Sequence, residues 1–252
     1  MVNDTEKMII TASRLLPQDT AVYVGTGMPL LASVLALNTH APDLLLVYEG
    51  GGVGGKPTGR LPIQVSESLT YENGVTVGSM DYVMSLAQAG WIQYGFLGGA
   101  QIDQYGNLNT TVIGDWERPK VRLPGSGGGA DIASLCERTI IIMEQDNKKF
   151  VEKLDFLTSP GYLDGLGGRE KVGLPANTGP YRVITQIGVY GFDENTRKMT
   201  LLHLFEGYTL EDVQTNSSFP IEVTKDWSYI EPPSAEELET LHSLDPDGVV
   251  IA

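Results

Sequence analysis

A single cysteine, Cys136, occurs among the 252 residues. No intramolecular disulfide can form, which suits a reducing compartment. Cys136 stands just ahead of an apolar run with no histidine near it in sequence, and reads as a buried structural thiol instead of a nucleophile. Histidine is nearly as scarce: His40, His203 and His242 are widely separated and lack metal-ligand spacing, so no metal site is expected. Basic residues are few, 17 Lys and Arg against 32 Asp and Glu, for a net charge of −15. That balance excludes a nucleic-acid binder, which needs a basic footprint, and disfavours an anionic membrane surface. No apolar run reaches the ~20 residues of a membrane span. The amino terminus opens acidic and polar without a signal-peptide pattern, so a cytoplasmic protein is expected.

What is present is ordinary globular composition, 41% hydrophobic and 19% charged, with an abundance of glycine, 30 residues. The pattern of elements predicts one α/β domain over residues 1–252: an open, mostly parallel sheet with helices on both faces. Asn3 and Glu6 form a capping box ahead of a helical run through Met8, Ile9, Ala12, Leu15 and Leu16. Residues 21–24 form a short strand. Residues 25–29 are a glycine loop, with Pro29 suited to the first turn of a helix over 30–38. A strand ending at Glu49 follows, and this strand-loop-helix-strand order predicts a parallel pair. A helix over 80–89 capped by Ser79 and ended by Gly90 comes next, then a strand over 92–97. The β-branched run at 139–143 predicts a strand covered on both faces. Strands over 182–187 and 199–204 flank residues 188–193, which read as a short strand and turn, and helices opening at Thr209 and Ser234 complete the chain. Residues 159–180, rich in Gly and Pro, read as a long ordered loop.

Leu44-Leu45-Leu46-Val47-Tyr48-Glu49-Gly50-Gly51-Gly52 is the most informative segment. An apolar run stopping at glycine reads as a core strand entering a loop. Its last residue is a carboxylate, and the carboxyl ends of strands in open sheets are where ligands bind. The glycines beside it allow a backbone or a ligand to approach closely. Taken alone, the commoner reading is a surface glutamate beside a flexible turn.

A second glycine cluster, Gly125-Ser126-Gly127-Gly128-Gly129-Ala130-Asp131, precedes a short helix. Such loops free backbone N–H groups to face an anion or oxyanion. Gly25-Thr26-Gly27 begins a dinucleotide fingerprint, but Leu30 occupies its third glycine position. No Walker motif is present. Each glycine loop by itself is most simply a tight turn.

Together these segments resemble family I CoA-transferases, in particular the β subunits of the glutaconate CoA-transferase group. The resemblance runs through Gly25-Thr26-Gly27-Met28-Pro29-Leu30-Leu31-Ala32-Ser33, Ala41-Pro42-Asp43 and Glu49-Gly50-Gly51. It resumes at Leu97-Gly98-Gly99-Ala100-Gln101-Ile102-Asp103-Gln104-Tyr105-Gly106-Asn107-Leu108-Asn109 and at Gly125 to Asp131. It ends through Leu157-Thr158-Ser159-Pro160-Gly161-Tyr162-Leu163-Asp164-Gly165, Arg169 and Gly188-Val189-Tyr190-Gly191-Phe192-Asp193.

The resemblance implies an enzyme that moves CoA from an acyl-CoA to a carboxylic acid, through an acyl-glutamyl anhydride and a glutamyl-CoA thioester. Its spacing after Ala41-Pro42-Asp43 makes Glu49 the matching glutamate. Gly128 matches the oxyanion donor, with Gly129 beside it, although the loop carries one more glycine than the family's G-G-A-M-D form and lacks its methionine. Gly25, Gly27, Gly50, Gly51, Gly98 and Gly99 are the substrate-loop candidates. The resemblance implies coenzyme A as a substrate, no permanently bound cofactor, and a homologous α subunit completing the active site. Glu72-Asn73-Gly74 mimics the S-E-N-G nucleophile motif of some members, but Tyr71 replaces the serine and no apolar strand precedes it, so Glu72 reads as a hydrophilic turn. Two rival readings remain: a hydrolase or decarboxylase acting on acyl-CoA on the same scaffold, and a non-catalytic CoA-binding subunit. The Glu49 carboxylate and the Gly128 loop favour transfer.

Overall fold

The computed structural model describes residues 2–58 and 60–251, and divides into two compact units: one runs to Phe96 and resumes at Glu231, and the other spans Leu97–Ile230. The first begins with α1 (Asp4–Arg14), β1 (Ala21–Val24), α2 (Met28–Asn38) and β2 (Leu45–Tyr48). It continues with β3 (Gly52–Val53), β4 (Thr76–Val77), α3 (Met80–Gln88) and β5 (Tyr94–Leu97). The expected capping box is present, with Asn3 and Glu6 each accepting the other's backbone N–H. β1 pairs parallel with β2 on one side and β5 on the other, as the alternation of strands and helices requires. The apolar α2 has Leu30, Leu31, Ala32, Val34, Leu35 and Ala36 all buried, the mark of a helix covered on every side. It starts two residues earlier than its apolar run suggests. Gly27 caps it at φ +75, a left-handed conformation that suits glycine, and Pro29 sits in the first turn. Ser79 precedes α3 without a side-chain cap bond, a departure from the expected cap.

The second unit contains two small hairpins, β6 (Gln101–Ile102) with β7 (Leu108–Asn109), and β8 (Val112–Gly114) with β9 (Pro119–Arg122). Then come α4 (Gly129–Leu135), β10 (Arg138–Ile142), α5 (Gly168–Lys171) and β11 (Gly179–Ile184). β12 (Gly188–Phe192), β13 (Met199–Leu204), α6 (Leu210–Thr215) and β14 (Glu222–Tyr229) follow. β10 and β11 are parallel, β12 is antiparallel to both β11 and β13, and β14 is parallel to β13. Parallel pairs beside antiparallel ones give an α/β architecture. The strand expected over 182–187 lies three residues earlier, because the Thr185 hydroxyl accepts the N–H of Ile187 and Gly188 and turns the chain into β12. The long loop at 159–180 holds one turn of helix, α5, and its last two residues already belong to β11.

The chain then returns to the first unit as α7 (Ala235–Leu244), opened by the expected Ser234–Glu237 capping box. Two charged contacts fasten α7 to α1. Arg14 grips Glu237 with two 2.7 Å bonds and also donates to the carbonyls of Glu231 and Pro232, while His242 Nε2 lies 2.6 Å from Glu6. Burial disfavours the ionised form of both glutamates, but the hydrogen bonds and charge of Arg14 and His242 outweigh it, holding each below its ordinary 4.5. A carboxyl depressed in the folded state contributes stability that is present above its unfolded value and lost as pH falls through the folded one. As pH falls below about 4.5, through the depressed folded-state range of Glu237, the melting temperature of the wild-type chain should therefore fall more steeply than that of Glu237→Gln. Parallel melting curves across that range would show that the Arg14 clasp adds no pH-dependent stability.

Candidate functional site

Register fixes the geometry around Glu49. The last paired residues of β1 and β2 are Val24 and Tyr48, so Gly25 and Glu49 leave the sheet side by side at the carboxyl ends of two adjacent parallel strands. Such an edge carries ligands in open α/β sheets. Glu49 is half-buried, and among the described residues its carboxylate makes no hydrogen bond or ion pair. The residue before it is fully buried: Tyr48 is 1% exposed and its hydroxyl has no hydrogen-bond partner. Burial pushes that phenol well above its ordinary range, so Tyr48 is neutral and apolar in effect beside the carboxylate.

The glycines after Glu49 serve backbone packing. A Cβ on Gly50 would lie 2.5 Å from the Val65 carbonyl oxygen, and one on Gly51, at φ +111, 2.0 Å from that of Gly78. Gly52 and Gly55 face the Thr70 carbonyl at 2.5 and 2.1 Å in the same way. Of the two approaches that glycine permits, Gly50 and Gly51 use the backbone one: segment 65–78 fills the space. This packing holds the turn that presents Glu49, with Gly51 N–H on the Tyr48 carbonyl at 2.9 Å. Glu72 belongs to that supporting segment. Its carboxylate accepts Thr58 N–H at 2.9 Å and the Thr58 hydroxyl at 2.7 Å, and the two bonds depress its pKa. It pins a loop, as the reading of a hydrophilic turn anticipates.

Gly25 and Gly27, in contrast, face open space, with no heavy atom within 4 Å of where a Cβ would stand. Their loop opens onto a cavity of about 320 Å³ walled by Thr26, Gly27, Leu30, Leu61, Ile63 and the carboxy-terminal residues Leu244, Val249 and Val250. Arg60 lines it but is ion-paired with Glu67. Asp245 holds the terminal wall by accepting the N–H groups of Val249, Val250 and Ile251 at 2.8–3.0 Å. The contribution of this tail has no signature in the sequence, because Asp245 and Gly27 are over two hundred residues apart.

The remaining candidates lie in the second unit. Gly128 is buried and caps α4 at φ −78, ψ 0, a backbone conformation open to any residue. A requirement for glycine by backbone conformation is therefore absent at Gly128. It falls on Gly125 and Gly127, at φ +98 and +47. Among the described residues the Gly128 N–H has no acceptor, whereas Gly129 donates to Ser126 O at 2.8 Å. That bond removes Gly129 as a free donor. Gly98 is exposed just past β5, and Gly99 packs on Leu108, whose Cδ2 lies 3.0 Å from a Cβ position there. Cys136 is buried and its thiol is pushed up to about 12, so it stays protonated and structural. Among the described residues no group of three or more His, Cys, Asp or Glu could hold a metal, and no helix is long and apolar enough to cross a membrane.

Residues 5–216 match the family described as Coenzyme A transferase. The B-type subunit of 3-oxoadipate CoA-transferase from Pseudomonas knackmussii is 38% identical over 241 residues, 95% of this chain and 92% of that protein. The B-type subunit of glutaconate CoA-transferase from Acidaminococcus fermentans is 38% identical over 226 residues, 87% of this chain and 84% of that protein. The crystal structure of glutaconate coenzyme A-transferase from Acidaminococcus fermentans superposes with a TM-score of 0.93 at 32% identity, covering 99% of this chain and 97% of that one. The decarboxylase AibA/AibB shares the fold at a TM-score of 0.83 and 19% identity, over 99% of this chain and 97% of that one.

Proposed function

The chain belongs to the coenzyme A transferase family, and from that premise we propose that it is the B-type subunit of an acyl-CoA:carboxylate CoA-transferase with Glu49 as its nucleophile. One observation carries the assignment: a half-buried carboxylate, without a partner among the described residues, leaves the carboxyl end of β2 beside the glycine loop that follows β1. In this reading a Glu49 oxygen attacks the thioester carbonyl and CoA leaves as its thiolate, giving an acyl-glutamyl anhydride. The thiolate then attacks the Glu49 carbonyl of the anhydride, releasing the first acid and leaving a glutamyl-CoA thioester. The acceptor carboxylate repeats the two steps in reverse, which frees Glu49 and the new acyl-CoA. Covalent catalysis replaces one difficult exchange with steps that each break an activated acyl bond. The cavity beside Thr26 and Gly27, apolar on most walls, takes the acyl group. CoA is a substrate here, and the depressed reactivity of Cys136 leaves no competing thiol on this chain.

Incubation with an acyl-CoA followed by hydroxylamine or borohydride should trap the intermediate on the peptide that contains Glu49. Label on another residue, or none in a turning-over enzyme, would remove the covalent reading. The relatives are themselves B-type subunits, which supports a second requirement, a homologous α-type subunit. The chain alone should show no transfer and recover it as that partner is titrated in, reaching a plateau at a fixed ratio. Full turnover by the purified single chain contradicts this.

Gly128 supplies the oxyanion donor in this scheme. As Glu49 attacks, charge grows on the thioester oxygen, and one preorganised N–H is worth on the order of 10²–10³ in kcat. Because φ at Gly128 is ordinary, Gly128→Val adds no backbone strain; at this buried position it should lose some stability to overpacking, while its side chain displaces the thioester and lowers kcat per folded molecule by about 10². A folded Gly128→Val protein with normal kcat per active site would exclude this donor.

A further inference from the structure

In a chain with 17 basic residues against 32 acidic ones, three arginines line one cavity of the second unit. The cavity has a volume of about 190 Å³ and is walled by Arg138, Tyr162, Arg169, Glu170, Thr178 and Arg197, among others. Arg169 lies at its base, 2% exposed. Its guanidinium donates to the carbonyls of Ala133, Ser134, Pro160 and Gly161 and to the Thr178 hydroxyl, and to no carboxylate. A full positive charge is thus buried without a counter-ion; its N–H groups are all taken by carbonyls and the Thr178 hydroxyl, so it offers an anion its charge and not a hydrogen bond. Above it, the Arg197 side chain makes no hydrogen bond or ion pair among the described residues, and its guanidinium lies 5.1 Å from the Tyr162 ring centre. Asp193 feels the Arg197 charge, and its Oδ1 accepts the N–H groups of Asn195 and Thr196 and the Thr196 hydroxyl. Arg138 has one weak acidic contact, Glu137 at 3.7 Å, and lies 5.0 Å from the Tyr181 ring centre. Aromatic faces orient guanidinium planes while leaving their N–H edges available. The acid on the wall is Glu170; nearby Asp164 is taken by Lys171 at 3.6 Å.

We propose that this cavity is a binding site for a phosphate group, held by the N–H edges of Arg138 and Arg197 over the buried charge of Arg169. The lining residues carry three guanidinium charges against the Glu170 carboxylate, with Glu137 and Asp193 bordering the cavity beside Arg138 and Arg197. Guanidinium forks suit the tetrahedral oxygens of a phosphate through paired charge-assisted bonds. The volume admits a phosphate ester with attached atoms or a free phosphate with water. Two sources share this chemistry: the 3′-phosphate of coenzyme A and inorganic phosphate. The site stands independently of the role given to Glu49.

The test titrates inorganic phosphate into the full chain at constant ionic strength, with chloride making up the difference, and reads heat and melting temperature. Wild-type protein should bind saturably and melt higher with phosphate than with chloride. The double variant Arg138→Gln/Arg197→Gln should weaken binding by about tenfold or more, since charge-assisted bonds are lost. The single variant Arg138→Gln changes an exposed side chain and keeps the test decisive should the double variant misfold; it should weaken binding as well. Competition, run with and without the complementary subunit, separates the sources. Displacement of phosphate by CoA but not by dephospho-CoA assigns the site to the 3′-phosphate, and displacement by neither assigns it to free phosphate. Absence of saturable phosphate binding, or folded variants that bind as tightly as wild type, overturns the proposal.

Discussion

Glu49→Ala should fold, melt close to wild type, and lose CoA transfer by on the order of 10⁴-fold or more. The two halves of that result have separate causes. Stability should be kept, within about 0.5 kcal/mol, because the carboxylate makes no internal hydrogen bond or ion pair for the mutation to break. The glycine packing that shapes its turn involves backbone atoms of residues 50–55 and 65–78 and is untouched. Activity should vanish because the carboxylate itself forms the anhydride, and its neighbours offer no substitute: Tyr48 is buried and neutral. Glu49→Gln preserves the shape and should lose transfer equally when assayed fresh, with activity returning only as deamidation restores the acid, visible as a mass gain on that peptide. Glu72→Ala supplies the contrast. It should keep wild-type kcat while loosening the loop that Glu72 ties through Thr58. Wild-type turnover in freshly purified Glu49→Ala, or a dead Glu72→Ala beside it, would sink the assignment.

The contrast between Glu49 and its surroundings shows what a sequence can carry. β13 keeps its expected bounds although Thr200 and the exposed His203 interrupt its run. β1 has the bounds that its apolar run defines, because residues buried on both faces leave an unbroken pattern. The carboxylate is legible for the same reason, since it interrupts that pattern at a strand end. β14 is not legible: residues 222–229 are mostly polar and exposed, and the strand is held by its pairing to β13, which is a tertiary fact. Glycine marks a special backbone without saying what is special about it. Gly51 and Gly55 are required by carbonyls distant in sequence, at Gly78 and Thr70, whereas Gly27 is required by its own φ. In the second glycine cluster the residue singled out by motif, Gly128, has an ordinary backbone, and its neighbours Gly125 and Gly127 carry the left-handed turns. The arginine-lined cavity is invisible in the sequence for a plainer reason. Its three cations come from β10, α5 and the turn before β13, and only folding brings them together.

Arg169→Met should produce the largest loss of stability of any single change considered. Methionine keeps an unbranched apolar stem, so much of the packing along the arginine chain survives. What the substitution removes is a set of bonds linking three segments: the carbonyls of Ala133 and Ser134 in the last turn of α4, those of Pro160 and Gly161, and the Thr178 hydroxyl just before β11. A cation at the end of a helix also offsets its carbonyl dipole. Burial lowers the pKa of this guanidinium below its ordinary value, yet the carbonyls offset that desolvation in geometry that methionine cannot reproduce. Each buried acceptor left without a donor costs about 1–3 kcal/mol. Partial relaxation of the loop would recover some of this, so a net loss of about 3 kcal/mol or more is expected, equivalent to roughly 6–12 °C in melting temperature for a chain of this size. Arg169→Lys should fall between the two, because an ammonium keeps the charge but cannot reach all three segments with one planar fork. Thermal melts of the three proteins at one pH decide the matter. If Arg169→Met melts within a degree or two of wild type, the carbonyl contacts hold nothing together and the buried charge costs as much as its bonds return.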